Sequence, residues 1–210
     1  MKEKKVSIPS GGILLEGLLN LAETRSVRRG VVLCHPHPLY GGDMYNTVIE
    51  AGIEAALQEE CSTLRFNFRG VGESGGSYEE GVGEKDDVKA AIDYLASEIN
   101  DSKATIVFMG YSFGAWAGLP VAVNDPRINS LIAVAPPLGM YDFEFLKGCK
   151  KKKLLIAGSE DLYCPLPELR KLYSQLEEPK SLTIVEGADH FFFSHEPSLI
   201  SPLREFLRTL

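Results

Sequence analysis

Residues 110–114 read Gly-Tyr-Ser-Phe-Gly and place one serine between two glycines. They follow an apolar run, 104–109, that has the pattern of a buried strand, and small residues suited to a helix come next. A sharp strand-to-helix turn would hold Ser112 in a strained backbone with its hydroxyl exposed, and larger flanking side chains would collide there. The N–H of Phe113, in the first turn of that helix, would then face an oxyanion. The spacing predicts a nucleophilic serine.

A serine hydroxyl needs a base to take its proton and an acid to orient that base. Asp161 follows a predicted strand at 154–157, and His190 follows another at 181–185. We therefore predict Ser112 as the nucleophile, His190 as the base and Asp161 as the orienting carboxylate.

Three other carboxylates are weighed against Asp161. Glu160 and Asp142 remain alternatives, whereas Asp189 is too close along the chain to reach the ring of His190. Asp161 could instead cap the helix expected from Pro165.

Residues 35–42 read His-Pro-His-Pro-Leu-Tyr-Gly-Gly and follow the strand predicted at 30–34. The two prolines stiffen this loop and have no N–H, so His37 or Leu39 is left to donate a second hydrogen bond to an oxyanion. A metal is the alternative use of paired histidines. We predict no metal, because His35 and His37 would point apart in an extended chain and have no acidic or cysteine partner nearby.

Residues 70–75 match Gly-x-Gly-x-x-Gly after a strand and could cradle a pyrophosphate. In a dinucleotide site, however, the helix begins inside the motif, and here residues 76–83 delay it. We expect a glycine-rich loop at the rim of the site, anchored by Arg69, and no cofactor.

The elements that must position these residues are read from apolar periodicity. Pro120 is expected to kink or end its helix. Strands that alternate with helices after an initial hairpin predict an α/β sheet, mostly parallel, in a single domain spanning 1–210, with ligands at the carboxyl ends of the strands. The predicted strands are 5–8, 13–22, 30–34, 62–68, 104–111, 128–135, 154–157 and 181–185, and the predicted helices are 46–59, 84–99, 112–119, 165–176 and 197–210.

The composition limits partners and location. The net charge of −7 argues against nucleic acid or an anionic membrane as a partner. Four cysteines without a C-x-x-C pair are typical of free thiols in a reducing cytosol, and the first residues lack the apolar core of a signal peptide, so we expect a cytoplasmic protein, monomeric or homodimeric. The lysine run 150–153 is expected to be solvated.

Four separated motifs carry a resemblance to a known family. The segments RFNFRGVGESGG, HPHPLYGGDMYN, GYSFGAW and ADHFF resemble the α/β-hydrolase superfamily, and within it small lid-less microbial hydrolases related to dienelactone hydrolases and carboxylesterases. The resemblance implies a twisted eight-stranded sheet with helices on both faces, an antiparallel second strand and a triad of Ser112, Asp161 and His190. Dienelactone hydrolases use a cysteine nucleophile, so a serine at 112 departs from them.

These observations predict a serine esterase acting on a small-molecule ester through an acyl-enzyme. Because only residues 136–153 separate two strands where a lid usually enters, the site should be open, with Tyr40, Trp116 and Phe191 covering the first acyl carbons. A thioesterase or amidase of the same fold, or a non-catalytic binding protein that keeps the fold, remains an alternative.

Overall fold

The computed structural model describes residues 3–22 and 28–210. In the described part of the chain no helix is long and apolar enough to cross a membrane. The strands are β1 (Lys4–Ser10), β2 (Ile13–Asn20), β3 (Arg29–Cys34), β4 (Ser62–Phe66), β5 (Thr105–Tyr111), β6 (Ile128–Val134), β7 (Lys152–Gly158) and β8 (Lys180–Val185). The helices are α1 (Thr47–Gln58), α2 (Gly83–Ile99), α3 (Phe113–Asn124), α4 (Leu166–Gln175) and α5 (Pro197–Arg208).

All eight strands lie in one sheet in the order β1-β2-β4-β3-β5-β6-β7-β8. β2 runs antiparallel to both of its neighbours, and every other pair is parallel. The α/β class and the antiparallel second strand implied by the resemblance are confirmed. The carboxyl ends of β3, β5, β7 and β8 consequently meet at one edge of the sheet.

The helices cover the sheet on both faces, and the central strands are buried on both sides. In β3, Val31 and Leu33 pack in the core under α1 and α5, whereas Val32 and Cys34 pack in the core under α2, α3 and α4. Successive side chains of a strand point to opposite faces, so an apolar run without alternation is what a strand between two helical layers requires.

Two of the predicted boundaries that differ from the structure have a clear physical cause. The helix that contains Pro120 continues to Asn124, whose side-chain amide donates to the Pro120 carbonyl at 2.7 Å, so the proline does not end it. The strand predicted to reach Phe68 ends at Phe66, and the N–H of Phe68 donates to the ring of His35 instead of to a neighbouring strand.

The prediction that the lysine run 150–153 is solvated is wrong for Lys153. Lys153 lies in β7 and is buried, and its ammonium donates to the carbonyl of Glu177 at 2.7 Å. Its aliphatic stem is covered, while its ammonium group is hydrogen-bonded to a carbonyl just after α4.

Between β6 and β7 the chain forms a short loop with a single 3₁₀ turn at Glu144–Leu146. The fold therefore has no lid domain at the position where a lid would enter, and the edge that carries the strand-end residues is left open.

Candidate active site

Ser112 occupies the turn between β5 and α3 with φ 52° and ψ −118°, a conformation that residues with side chains rarely adopt. A Cβ on Gly110 would lie 2.5 Å from the Cα of Ala115, and a Cβ on Gly114 would overlap the carbonyl oxygens at the end of β3. Only glycine fits at these two positions, so the local sequence forces the strained turn that presents the Ser112 hydroxyl.

Three predicted residues form one hydrogen-bonded series. Ser112 Oγ lies 2.8 Å from His190 Nε2, and His190 Nδ1 lies 2.8 Å from Asp161 Oδ2 and 3.0 Å from Oδ1. All three side chains are buried. Since a carboxylate can only accept, Nδ1 carries the ring proton and Nε2 is free to accept the proton of the serine.

Asp161 is the carboxylate that reaches His190. Its Oδ1 also accepts the N–H groups of Tyr163 and Cys164, both at 2.8 Å, so it organises the turn before α4 as well. The side chain of Glu160 is exposed, and Asp142 caps a turn elsewhere by accepting the N–H of Glu144. The capping interpretation of Asp161 is wrong, because Pro165 at the N-cap of α4 has no side-chain hydrogen bond and the N–H groups that Asp161 binds precede the helix.

The backbone of His190 is held by Tyr111, whose hydroxyl donates to the His190 carbonyl at 2.9 Å. Burial, and then the carboxylate of Asp161, raise the pKa of Tyr111, which keeps the phenol a donor. Phe192 is fully buried beneath this arrangement. The imidazole is thus fixed through its main chain as well as through its ring.

The two phenylalanines that flank Phe192 are not packed under the site. Phe191 and Phe193 are exposed and stack at 5.6 Å, and the N–H of Phe191 donates to the Asp189 carboxylate at 2.9 Å. The ring of His190 contacts Phe191 at 5.5 Å and Tyr163 at 4.8 Å between centroids. Phe191 therefore borders the base from the solvent side.

His35 is a structural group of the proline loop. Its ring is fully buried, Nε2 accepts the N–H of Phe68 at 3.0 Å, and Nδ1 lies 2.6 Å from the carbonyl of Pro36. Burial lowers its pKa to about 4, with the Pro36 hydrogen bond opposing. The ring is therefore neutral, with its proton on Nδ1.

His37 closes the same loop on itself. Its Nδ1 accepts the N–H of Leu39 at 3.2 Å, its Nε2 lies 3.2 Å from the hydroxyl of Tyr78, and its carbonyl accepts from Tyr40 and Gly42. Burial lowers the pKa of His37. The N–H of Leu39 is consequently already bound within the loop.

The N–H of His37 has a direction imposed on it. The Pro36–His37 peptide is trans and planar, so its N–H points opposite to the carbonyl that His35 holds. The His37 ring lies 4.8 Å from the ring of Phe113. Within residues 3–22 and 28–210, neither the His37 N–H nor the Phe113 N–H has a hydrogen-bond partner.

Arg69 anchors the glycine-rich loop, as expected. Its backbone N–H and its guanidinium both bind the buried carboxylate of Asp87 on α2, at 2.8 to 3.1 Å, and the same carboxylate accepts the hydroxyl of Ser10 from β1. A second ion pair joins Arg69 to Glu79 at 2.8 Å. The anchored loop ends at Tyr78, which it presents to His37.

The N–H groups of the glycine-rich loop are used within the protein. Those of residues 70, 71, 74 and 75 bind backbone carbonyls, and that of Glu73 binds the carboxylate of Glu16. They do not form a phosphate cradle. In the described residues, likewise, no group of three or more His, Cys, Asp or Glu is placed to hold a metal ion.

The other two predicted pocket residues lie on the side of Ser112 away from His190. Tyr40 is the more exposed, with its ring 4.6 Å from that of His37. Trp116 stacks on Tyr141 at 4.2 Å and contacts Phe113 at 5.6 Å, so it forms a wall rather than a free surface.

Four residues of the site were missed. His35, Tyr78, Tyr141 and Tyr163 come from four different loops, and their contacts depend on the fold. His35 was marked by the proline motif although its structural role was not predicted, and Tyr163 had a signal because it stands two residues after a strand-end carboxylate.

The sheet topology, the strained serine turn and the lid-less edge define an α/β-hydrolase. A model of the Dienelactone hydrolase family matches residues 78–204, which contain Ser112, Asp161 and His190. The chain belongs to this family, and the protein is a hydrolase.

Solved structures and a relative agree with this assignment. An α/β serine hydrolase homologue from Coxiella burnetii is 33% identical, with a TM-score of 0.88 over 98% of this chain and 97% of that one. A serine hydrolase without lid from Xanthomonas campestris is 27% identical, with a TM-score of 0.88 over 100% and 95% of the two chains. An uncharacterized protein of Rickettsia prowazekii is 33% identical over 96% of this chain and 87% of its own length.

Proposed function

We propose that this hydrolase is a serine esterase that cleaves small esters through an acyl-enzyme. The observation that carries the proposal is the unbroken series Ser112 Oγ to His190 Nε2 to Asp161, with both links at 2.8 Å, beside a serine held at φ 52°. A base that lies within hydrogen-bond reach of a strained, glycine-flanked serine is the arrangement that activates the hydroxyl.

In the first half-reaction Ser112 Oγ forms a bond to the ester carbonyl carbon as its proton passes to His190 Nε2. Asp161 keeps the ring oriented and stabilises the imidazolium that results. When the tetrahedral intermediate collapses, the carbon–oxygen bond to the alcohol breaks, and the alcohol oxygen takes the proton from Nε2. Water then attacks the acyl-enzyme by the same path, which releases the carboxylic acid and restores Ser112.

The negative oxygen of the intermediate needs donors that are already in place. We assign these donors to the N–H groups of Phe113 and His37. Leu39 is the weaker candidate because its N–H is bound to the ring of His37. His35 acts through His37, since its bond to the Pro36 carbonyl sets the direction of the next N–H.

The open edge favours short acyl groups. Each methylene contributes about 0.8 kcal/mol when fully buried, so carbons that remain in water add little to transition-state binding. In residues 28–210 no segment forms a lid over the site, and Tyr40 is itself exposed, so the cover of an acyl group extends over only its first carbons.

Two measurements test the proposal. The first is labelling by a fluorophosphonate, which should occur in the wild-type protein and not in Ser112→Ala. A protein that keeps the fold only to bind ligands would stay unlabelled.

The second is kcat/KM for p-nitrophenyl esters of increasing acyl length, with matched thioester and anilide substrates. We expect a maximum between acetyl and hexanoyl esters and no activation at a lipid interface. A maximum at dodecanoyl or longer would contradict the short-acyl assignment. Faster cleavage of the thioester or the anilide would show that the protein is a thioesterase or an amidase instead of an esterase.

A further inference from the structure

An exposed apolar surface borders His190. Leu162 and Tyr163 follow β7, and Phe191 and Phe193 follow β8, with exposed fractions of 88%, 44%, 48% and 68%. We call these four residues the alcohol-side patch. The rings of Tyr163 and Phe191 meet edge to face at 6.4 Å, and Phe191 stacks on Phe193. Clustered apolar side chains left in water at the mouth of a site are typical of a ligand-binding surface.

The chemistry of the leaving group decides which half of a substrate reaches this surface. The alcohol oxygen must come within hydrogen-bond distance of His190 Nε2 to take its proton. Three rings contact that imidazole: Tyr111, which is buried, at 5.9 Å, and the two exposed rings of Tyr163, at 4.8 Å, and Phe191, at 5.5 Å. Carbon atoms bonded to the departing oxygen are therefore within van der Waals reach of the alcohol-side patch.

Two carboxylates near the alcohol-side patch are already engaged. Asp161 accepts the N–H groups of Tyr163 and Cys164 together with the ring of His190, and Asp189 accepts the N–H of Phe191. What the patch offers a leaving group is ring and aliphatic surface, which suits a neutral apolar alcohol.

The surface across Ser112 has a different character. Tyr78 binds His37 through its hydroxyl, and Trp116 is covered by Tyr141. Leu39 and Tyr40 are exposed on that side, to 66% and 82%, but the ring of Tyr40 contacts His37 rather than His190.

We propose that the alcohol-side patch binds the leaving group, and that the protein selects esters of bulky apolar alcohols. The inference rests on the proposed esterase function and names its substrate class. Tyr163 and Phe191 are the specificity-determining residues, and the acyl group plays the smaller part in selection.

The test keeps the acyl group constant and changes the alcohol. Ethyl acetate and 2-phenylethyl acetate have alcohols of similar acidity and give the same acyl-enzyme, so the ratio of their kcat/KM values reports alcohol binding. We expect the wild-type protein to favour 2-phenylethyl acetate by about 10- to 30-fold, the range for a partly covered ring. Phe191→Ala and Tyr163→Ala should each reduce the ratio to about 3 or less, because each removes a ring that covers the alcohol.

Tyr45→Ala is the matched control. The exposed fraction of Tyr45, 49%, is nearly the same as that of Phe191, 48%. Its ring, however, packs against the guanidinium of Arg65 and not against His190. The control should keep the wild-type ratio. As a second measurement, 2-phenylethanol should inhibit p-nitrophenyl acetate cleavage competitively in the wild type and more weakly in Phe191→Ala.

Different outcomes test the alcohol selectivity and the proposed esterase activity. Ser112-dependent cleavage of both acetates at equal kcat/KM would overturn the alcohol selection and leave the esterase intact. A preference for acetylcholine over 2-phenylethyl acetate would overturn it in favour of a cationic alcohol. Absence of both fluorophosphonate labelling and acetate cleavage would remove the esterase itself, and the inference with it.

Discussion

The two sides of Ser112 are held by different sets of contacts. On one side, the loop at 35–42 is bonded to itself through His37, to Phe68 just after β4 through the buried ring of His35, and to the glycine-rich loop through Tyr78. On the other side, the loop after β8 leaves Phe191 and Phe193 in solvent.

The contrast follows from what each side has to do. Charge develops on one oxygen at one place, so its donors gain from being fixed in advance. A leaving group differs from one substrate to another and needs surface rather than fixed donors. The oxyanion side should therefore determine the rate, and the alcohol side should determine the choice of substrate.

Removing the group that both sides share gives the largest effect. Ser112→Ala should lower kcat for a p-nitrophenyl ester by roughly 10⁴ to 10⁶, because no acyl-enzyme can form. The melting temperature should stay close to that of the wild type, since the methyl group fits where the hydroxyl was. A variant that still cleaves the ester at a comparable rate would exclude Ser112 from the mechanism.

The second largest effect on kcat is expected from the carboxylate that orients His190. Asp161→Asn should lower kcat by roughly 10³ to 10⁴, because an amide can donate to Nδ1 and hold the ring in the wrong tautomer. Glu160→Gln is the control, since that side chain is exposed, and it should cost little. The reverse pattern in steady-state kinetics would show that the carboxylate is misassigned.

A pair of substitutions at His35 tests the firmness of the oxyanion side. Asparagine places an N–H near the position of Nδ1 and can still bind the Pro36 carbonyl, whereas glutamine reaches the position of Nε2 and can still accept from Phe68. His35→Gln should lower kcat by roughly 10² at nearly constant KM, because the His37 N–H loses its fixed direction. His35→Asn should keep kcat within about tenfold of the wild type.

Stability should run in the opposite order, which separates positioning from packing. His35→Asn leaves the buried N–H of Phe68 unpaired and should lose about 1–3 kcal/mol in denaturant unfolding. Equal losses of kcat in the two variants would mean that the ring only fills space.

The smallest effect is a pH dependence of the same group. The folded-state pKa of His35 is about 4, below its ordinary value of 6.5, so the unfolded chain binds a proton first as the pH falls. The contribution of His35 to stability is present above pH 6.5 and decreases towards pH 4. Between pH 7 and pH 5 the stability difference between wild type and His35→Asn should shrink by about 2 kcal/mol, measured by urea unfolding at each pH. A constant difference would show that His35 does not titrate abnormally.

Much of the fold could be predicted because its signals are local. Glycine at 110 and 114 around Ser112, between a strand and a helix, indicates a turn that few other sequences can form. The order of Asp161 and His190 along the chain, each after a strand, follows from a parallel sheet that gathers its strand ends at one edge. The antiparallel second strand came from the resemblance and not from periodicity.

The rest depends on distant partners that no local pattern marks. His35 and His37 are equivalent in sequence, yet one is buried because Phe68, 33 residues later, donates to its ring. Lys153 cannot be distinguished by sequence from the exposed Lys150 of the same run, yet it is buried and its ammonium donates to the carbonyl of Glu177. Tyr163 contacts His190 only once two loops are brought together.

The hydrogen bonds of Asp87 limit the positions at which this chain can be truncated or circularly permuted. Its buried carboxylate holds the hydroxyl of Ser10 together with both the backbone and the guanidinium of Arg69. Trimming the first ten residues, or moving the chain ends to the turn at 11–12 by circular permutation, would disturb a tie that also anchors the loop bearing Tyr78. The first hairpin lies at the edge of the sheet farthest from β8. We nevertheless expect that a shortened or permuted protein must keep it to remain active.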